Sequence, residues 1–297
     1  MNQNKITIGT RGSKLALTQS QQVVSELQRL NPEHIFEFKI IKTAGDKGNI
    51  NEVGSFVREI EKELLNGDID IAIHSLKDLP SESPKGLILG AIPQRADIRE
   101  ALIAKDGITF DTLPLNAKIG TGSLRRTSQL KQIRPDLQFI HIQGNVDTRI
   151  GKVDKGEIDS IILAHAGLYR LGLSNRVNQL FTIDEILPAV GQGALAIQVR
   201  ENDPAINIAK TIDHLPTRIA VEAERKYLEI IGGGCKFPYA AYAVVTDDSI
   251  HIKGLLSDEA GNYLVRGEIT GSIDKNLELA EQLVASLKDK LKTEMSN

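Results

Sequence analysis

Arginine side chains follow two similar turns of the sequence, each where a predicted strand gives way to a predicted helix. Arg11 lies within Ile8-Gly-Thr-Arg-Gly-Ser13. Arg125 and Arg126 directly follow Ile119-Gly-Thr-Gly-Ser123 and Leu124. The helix macrodipole disfavours a cation in the first turn by roughly 0.3–1 kcal/mol, and a bound anion reverses that penalty. Backbone N–H groups and guanidinium groups together therefore predict a carboxylate or phosphate site. The alternative is a surface arginine beside a serine that only caps the helix.

Two further arginines lie at the ends of predicted elements. Arg149 closes the segment Gly144-Asn-Val-Asp-Thr-Arg149 just beyond a strand, and Arg170 lies near the end of a short helix. Arginine is rarely buried without a partner, so each of these residues taken alone reads as a solvated side chain.

A carboxylate with neighbouring polar groups follows the apolar run 69–74. Ser75, Lys77 and Asp78 come directly after this predicted strand, at the carboxyl edge where α/β sheets place their ligands. Asp78 beside cationic groups remains an anion and could stabilise a cation that develops on a substrate. The alternative is an Asp that forms a turn, next to a surface Lys.

Cys235 is the only cysteine of the chain, so an intrachain disulfide and a cysteine-based zinc site are excluded. A lone cysteine is usually a small buried apolar residue. Here Gly232, Gly233 and Gly234 precede it and allow close backbone approach, and Lys236 favours the thiolate. The six histidines show no metal-ligand spacing, so no metal is expected.

Length and charge limit the classes of protein. The 297 residues predict two or three domains. With 36 Lys and Arg against 39 Asp and Glu, the net charge of −3 lacks the basic excess expected of a nucleic-acid-binding protein. The chain starts without a secretory signal and has no apolar stretch approaching the length of about 18 residues that a membrane span needs, so we expect a cytoplasmic protein.

Short β-branched runs alternate with helical patterns, which predicts α/β units with mostly parallel strands in two lobes. The predicted strands are 5–10, 36–43, 69–74, 87–92, 117–121, 138–143, 158–164 and 194–200. The predicted helices are 13–30, 55–66, 124–133, 145–155, a short one ending at 172, 204–215 and 217–231. Hairpin-spaced strands at 240–246, 250–257 and 263–270, followed by a helix at 277–291, predict a small α+β unit at the end of the chain.

Seven segments in order give the sequence its resemblance to one family. They are Gly9–Leu17 with Gln19, Asp70–Pro80, Gly120–Arg126, Gly144–Arg149, Leu163–Gly172, Pro188–Gly193 and Gly233–Cys235. Over essentially its whole length the chain resembles the hydroxymethylbilane synthase family, also called porphobilinogen deaminase. The resemblance implies two α/β lobes like those of type II periplasmic solute-binding proteins, and a small α+β C-terminal domain that carries the cysteine. The implied boundaries are 1–93 with 194–211, 98–188, and 216–297.

The resemblance also implies a transferase of tetrapyrrole (haem) biosynthesis. Members of the family join four porphobilinogen units head to tail, release ammonia each time, and build hydroxymethylbilane on a covalent dipyrromethane cofactor. By motif position, Cys235 is the thioether attachment point and Asp78 the catalytic carboxylate. The implied ligands of substrate and cofactor are Arg11, Ser13, Gln19, Ser75, Lys77, Thr121, Ser123, Arg125, Arg126, Asn145, Arg149, Arg170 and Gln192.

Two positions depart from the family pattern. Gln143 stands where the family usually has Arg, which replaces a carboxylate anchor by a neutral hydrogen-bond donor. The stretch 43–56 is shorter than expected, and Val53 stands where a family lysine is expected. We expect a monomer that binds porphobilinogen and the growing pyrrole chain, with neither nucleic acid nor membrane as a partner. The alternative is a catalytically impaired two-lobed protein that only binds an anion or solute.

Overall fold

The computed structural model describes residues 4–43, 57–105, 107–232 and 238–296. The first elements are β1 (Lys5–Arg11), α1 (Lys14–Leu30), β2 (Ile35–Ile41), α2 (Arg58–Asn66), β3 (Ile71–Ser75) and β4 (Leu87–Ala91). They are followed by β5 (Glu100–Ala104), β6 (Lys118–Gly120), α3 (Leu124–Ile133), β7 (Gln138–Ile140), α4 (Val146–Asp154), β8 (Ser160–Ala164), α5 (His165–Arg170) and β9 (Gln179–Leu180). The last are β10 (Leu195–Arg200), α6 (Ala205–Lys210), α7 (Leu215–Ile231), β11 (Tyr239–Thr246), β12 (Ser249–Ser257), β13 (Leu264–Ser272) and α8 (Asn276–Ser296).

Two five-stranded sheets share one topology. Their strand orders are β2-β1-β3-β10-β4 and β7-β6-β8-β5-β9. In each sheet the first three strands are parallel, and the fourth runs antiparallel to both of its neighbours. We call the first sheet with its helices the first lobe, and the second sheet with its helices the second lobe. Because each fourth strand arrives from the other lobe, the chain crosses between the lobes twice, which confirms the expected type II arrangement.

The central strands of both lobes, β3 with β10 and β5 with β8, are buried on two faces, as expected of sheets covered by helices, whereas the outer strands β2 and β7 are largely exposed. In the first lobe, Ile8 and Ile197 pack with Leu27 of α1. In the second lobe, Ile119 packs with Leu130 of α3. These cores hold the carboxyl ends of the parallel strands side by side, at the edge that faces the other lobe.

The third sheet, β11-β12-β13, is an antiparallel meander covered by α7 and α8. Tyr227 of α7 is fully buried against it and donates its hydroxyl hydrogen to the Leu255 carbonyl at 2.8 Å. Leu283 and Leu287 of α8 belong to the same core. The expected small α+β unit at the end of the chain is thereby confirmed.

Some elements differ from the sequence prediction. No strand was predicted for β5 or β9. The two residues of β9 are too short to give a periodic signal, and β5 begins within the charged segment 97–100. The predicted helix 204–215 was wrong in length: α6 ends at Lys210, and a turn leads into α7 at Leu215. The predicted strand 138–143 was too long, because β7 ends at Ile140.

Candidate active site

A cavity of about 340 Å³ lies between the two lobes. Its first-lobe side includes the end of β1, the start of α1 and the turn after β3, and its second-lobe side includes α3, α4 and α5. Two carboxylates, Asp78 and Asp147, lie among its lining residues. The cationic lining residues are Arg11, Lys14, Lys77, Arg126, Arg149 and Arg170. This excess of positive charge favours a ligand that carries several anionic groups.

A short 3₁₀ turn, Leu76–Asp78, places the candidate catalytic carboxylate. Leu76 and Leu79 are buried on either side of Lys77 and Asp78, so the two charged side chains face the cavity while the apolar ones anchor the turn. The Leu76 amide donates to the Ala194 carbonyl at 3.1 Å, which ties the turn to the segment that crosses between the lobes. Burial lowers the pKa of Lys77, and the charge of Asp78 opposes that shift. Lys77 keeps an exposed surface that lines the cavity.

In the first lobe, the turn after β1 begins α1. Ser13 caps this helix by accepting a hydrogen bond from the Ala16 amide at 3.3 Å. One turn further along α1, Gln19 is hydrogen-bonded to Ser75 at 2.9 Å and joins the helix to the end of β3. Arg11, Ser13, Gln19 and Ser75 all line the cavity, so the sequence motif and the neighbouring strand meet there.

In the second lobe, the matching turn after β6 begins α3. Ser123 accepts from the Arg126 amide at 3.4 Å, and Thr121 accepts from the Ser123 amide at 3.2 Å. Both arginines that follow are buried, and they bind opposite oxygens of the Glu100 carboxylate. Sequence reasoning missed Glu100. Its only signal is a single acidic residue at the head of the apolar run 101–104.

Burial and the neighbouring charges shift the pKa values of the groups in this cluster. Burial raises the pKa of the Glu100 carboxyl, but the positive charges of Arg126 and Arg125 outweigh it and keep that pKa below its ordinary value. Burial also lowers the pKa of the Arg125 guanidinium. One carboxylate faces two guanidinium groups, so the cluster carries an excess positive charge close to the cavity.

Two more arginines of the second lobe reach the cavity. Arg149 Nε donates to the Gly144 carbonyl at 2.7 Å, and Arg170 donates to the Gly193 carbonyl at 2.9 Å. Burial lowers the pKa of Arg149, with the charge of Arg126 adding to the shift, and burial lowers the pKa of Arg170. A ligand carboxylate would stabilise the charged form of both side chains. Asn145, at the N-terminus of α4, also lines the cavity.

The two crossing segments pass so closely that glycine is required. Gly193 has φ +85°, and a Cβ at this position would lie 2.5 Å from the Ala96 carbonyl oxygen. Beside it, Gln192 is buried and donates to the Ile98 carbonyl at 2.7 Å. The motif Pro188–Gly193 therefore shapes the junction between the lobes.

The predicted site residues fall into two groups. Thr121, Ser123, Arg125 and Gln192 support the cavity through the bonds given above and are not among its lining residues, whereas the other predicted residues of the described chain line it. Gln143, where the family usually has Arg, lies outside the cavity and is hydrogen-bonded to His141 at 2.9 Å. Cys235 and Val53, with the shortened stretch after Thr43, lie outside the described residues.

Fold and cleft together define the class: a two-lobed α/β protein whose cationic cleft suits a ligand with several anionic groups. None of the helices in the described ranges is long and apolar enough to cross a membrane. Across the same ranges, no group of three or more His, Cys, Asp or Glu side chains is placed to hold a metal ion.

Comparison with known proteins identifies the family. Residues 6–208 match the family model of the porphobilinogen deaminase dipyrromethane cofactor-binding domain, and residues 218–293 match the porphobilinogen deaminase C-terminal domain. The porphobilinogen deaminase of Brevibacillus brevis is 44% identical over 291 residues, covering 95% of this chain and 94% of that protein. That of Syntrophus aciditrophicus is 43% identical over 289 residues, covering 95% and 94%. Among solved structures, a methionine-binding protein, MetQ, aligns with 12% identity, a TM-score of 0.46, and coverage of 75% of this chain and 90% of that one.

The chain belongs to the porphobilinogen deaminase family. The family expected from the seven motifs is confirmed, and with it the expected transferase class and the dipyrromethane cofactor.

Proposed function

We propose that this protein is a hydroxymethylbilane synthase, which joins four porphobilinogen molecules head to tail and releases one ammonia for each. The observation that carries the proposal is a cavity lined by six cationic side chains and by Asp78, in a chain of this family. Each porphobilinogen bears an acetate and a propionate group, so each added unit brings two carboxylates. Arginine suits this task because its planar guanidinium group can bind a carboxylate through two hydrogen bonds.

The arginines of the cavity would bind the carboxylates of substrate and cofactor. Arg126 supports this role most directly, because its Nε is buried and has no hydrogen-bond partner among the described residues. A ligand carboxylate would supply that partner. Further ligands proposed from the motifs are Arg11, Ser13, Gln19, Ser75, Lys77, Asn145, Arg149 and Arg170, with Thr121, Ser123, Arg125 and Gln192 completing the surroundings.

Asp78 would act on the charge that develops as ammonia leaves the aminomethyl carbon of the substrate. Its exposed carboxylate lies in the cavity on an anchored turn, and there it can accept hydrogen bonds from pyrrole N–H groups and stabilise a neighbouring cation. It can also assist removal of the proton that the attacking pyrrole carbon loses when the new C–C bond forms. Lys77 beside it supplies a cation for a substrate carboxylate.

The dipyrromethane cofactor would be bound as a thioether at Cys235. When bound, it supplies the free pyrrole carbon to which the first substrate unit is joined. The cavity fits such a group, because its carboxylates would meet the cationic lining.

The remaining proposals concern organisation. We propose domains at 1–93 with 194–211, 98–188 and 216–297, since each range corresponds to one sheet and its helices. We also propose that the protein is a cytoplasmic monomer and has no nucleic-acid partner. The net charge of −3, and arginines that gather in one cleft rather than along a basic stripe, support the second of these proposals.

Incubation with porphobilinogen tests the activity. We expect ammonia release and a product that cyclises to uroporphyrin. Asp78→Asn should lower turnover by about 100-fold or more, because it removes the charge that stabilises the developing cation. Asp147→Asn, which alters the other lining carboxylate, is the matched control and should have a much smaller effect. Turnover by Asp78→Asn close to that of the wild type would remove Asp78 from the catalytic role.

Intact mass tests the cofactor separately. The protein should exceed its sequence mass by one dipyrromethane, and Cys235→Ser should lose that excess. Binding of porphobilinogen without ammonia release, in a protein of unmodified mass, would instead favour the anion-binding alternative.

A further inference from the structure

Glu100, at the start of β5, connects both arginines of α3. Its carboxylate is fully buried, with Oε1 2.5 Å from an Arg125 nitrogen and Oε2 2.7 Å from an Arg126 nitrogen. Each oxygen serves one guanidinium group, so the orientation of the carboxylate fixes the two arginines relative to each other.

The two arginines use their other donors differently. Arg125 donates from its second terminal nitrogen to the Leu187 carbonyl at 2.7 Å. That carbonyl also accepts from Gln129, and the Gln129 side-chain oxygen accepts from the Leu187 amide at 2.8 Å. Arg125 is thus held on the side away from the cavity, and it is not among the cavity-lining residues.

Arg126 donates from its other terminal nitrogen to the Ile162 carbonyl at 3.0 Å. It lines the cavity, and its buried Nε lacks a hydrogen-bond partner within the described ranges. A buried donor without a partner is costly, so it indicates a group that completes the bond. Arg126 is therefore fixed through both terminal nitrogens, while its buried Nε has no partner in the described part of the chain.

The first lobe shows that the fold itself does not need these charges. Glu100 pairs with Ala164, the last residue of β8, and the matching pair in the first lobe is Leu195 with Ser75. Counting from the serine caps, α1 has Leu15 and Ala16 where α3 has the two arginines. Leu195 is buried in the core of its lobe. The same topology therefore also forms with apolar residues at these positions.

We propose that Glu100 is a positioning residue: it holds Arg126 for a ligand carboxylate and, together with the Leu187 carbonyl, keeps Arg125 as a support that does not touch the ligand. The inference rests on the proposed function only in taking that ligand to be a carboxylate-bearing pyrrole. It predicts different behaviour for two adjacent arginines that the sequence motif presents as a pair.

The test measures binding rather than turnover. The probe is a pyrrole with acetate and propionate groups but no aminomethyl group, which cannot release ammonia, and its Kd for the holoenzyme is measured by calorimetry. We expect Arg126→Met and Glu100→Gln each to weaken binding by about tenfold or more, whereas Arg125→Met changes Kd by less than about threefold. Glu100→Asp, which keeps the charge, should recover most of the affinity. In the Arg126→Met background, Glu100→Gln should have no further effect.

Glu61→Gln is the control, because Glu61 is a buried carboxylate that lies outside the cavity. This variant should bind the probe with the same Kd as the wild type. If Glu100→Gln does not fold, the two arginine variants decide the question. Equal loss of binding in Arg125→Met and Arg126→Met overturns the proposal, as does unchanged binding in Glu100→Gln. Probe binding that follows the expected pattern in a protein without porphobilinogen turnover would refute the proposed function and leave this inference standing.

Discussion

Both lobes bury a polar cluster beside the antiparallel strand of their sheet, but the two clusters differ in charge. In the first lobe, Gln198 of β10 donates to Glu61 of α2 at 2.9 Å, and His74 of β3 is buried nearby in the strand paired with β10. Burial lowers the pKa of His74 to about 4 and raises the pKa of Glu61. In the second lobe, two arginines keep Glu100 ionised.

The two clusters differ in whether they contain buried arginines and in whether they border the cavity. The first-lobe cluster has no permanent cation and does not line the cavity. The second-lobe cluster includes a residue that does. Because a buried ion pair gains little for stability over apolar side chains, its position beside the cavity points to ligand binding.

The largest expected effect is on folding stability. Glu100→Gln leaves two buried arginines without a counter-ion and should lower the free energy of unfolding by about 3–5 kcal/mol. Glu61→Gln changes a hydrogen bond in a cluster without arginines and should cost only about 1 kcal/mol. Urea denaturation at pH 7 measures both values. Equal costs would mean that the two clusters do not differ in the way described.

The next effect is the pH dependence of the first lobe. His74 has a lowered pKa in the folded state, so the unfolded chain binds the extra proton and stability falls as pH drops from 6.5 towards 4. At pH 5 this amounts to a loss of about 2 kcal/mol relative to pH 7.

His74→Asn should remove that part of the slope in urea denaturation between pH 7 and pH 5. The second-lobe cluster should not contribute there, because the depressed pKa of Glu100 destabilises only below the ordinary glutamate value of 4.5. An unchanged slope in His74→Asn would contradict the assignment of neutral histidine to the first-lobe cluster.

The smallest expected effect is the loss of stability when the serine caps that both lobes contain are removed. Ser13 and Ser123 cap α1 and α3 through the same bond, so Ser13→Ala and Ser123→Ala should each cost about 1 kcal/mol, and the double variant the sum. Thermal denaturation with Ser25→Ala, an exposed mid-helix control, measures this. A cost in only one lobe would show that the two turns are not equivalent.

The sequence predicted the α/β rhythm and α3 from end to end, because apolar periodicity and serine caps are local signals. It did not predict β5 or the burial of Glu100. The segment Asp97-Ile-Arg-Glu100 reads as a charged surface turn, and Glu100 is buried only because Arg125 and Arg126, 25 and 26 residues further on, fold against it. The separate roles of these two arginines likewise depend on the Leu187 carbonyl, which no sequence spacing reveals.

The position of β10 also has a consequence for biosynthesis. β10 lies between β3 and β4, and within the described ranges β4 has no other neighbour in its sheet. A nascent chain that has already emerged past β4 therefore keeps the hydrogen-bonding edges of β3 and β4 open until residues 195–200 leave the ribosome. At roughly 5–20 residues per second, that delay lasts on the order of 5–20 seconds. During that time both edges can pair with another extended segment, before any ligand can be bound.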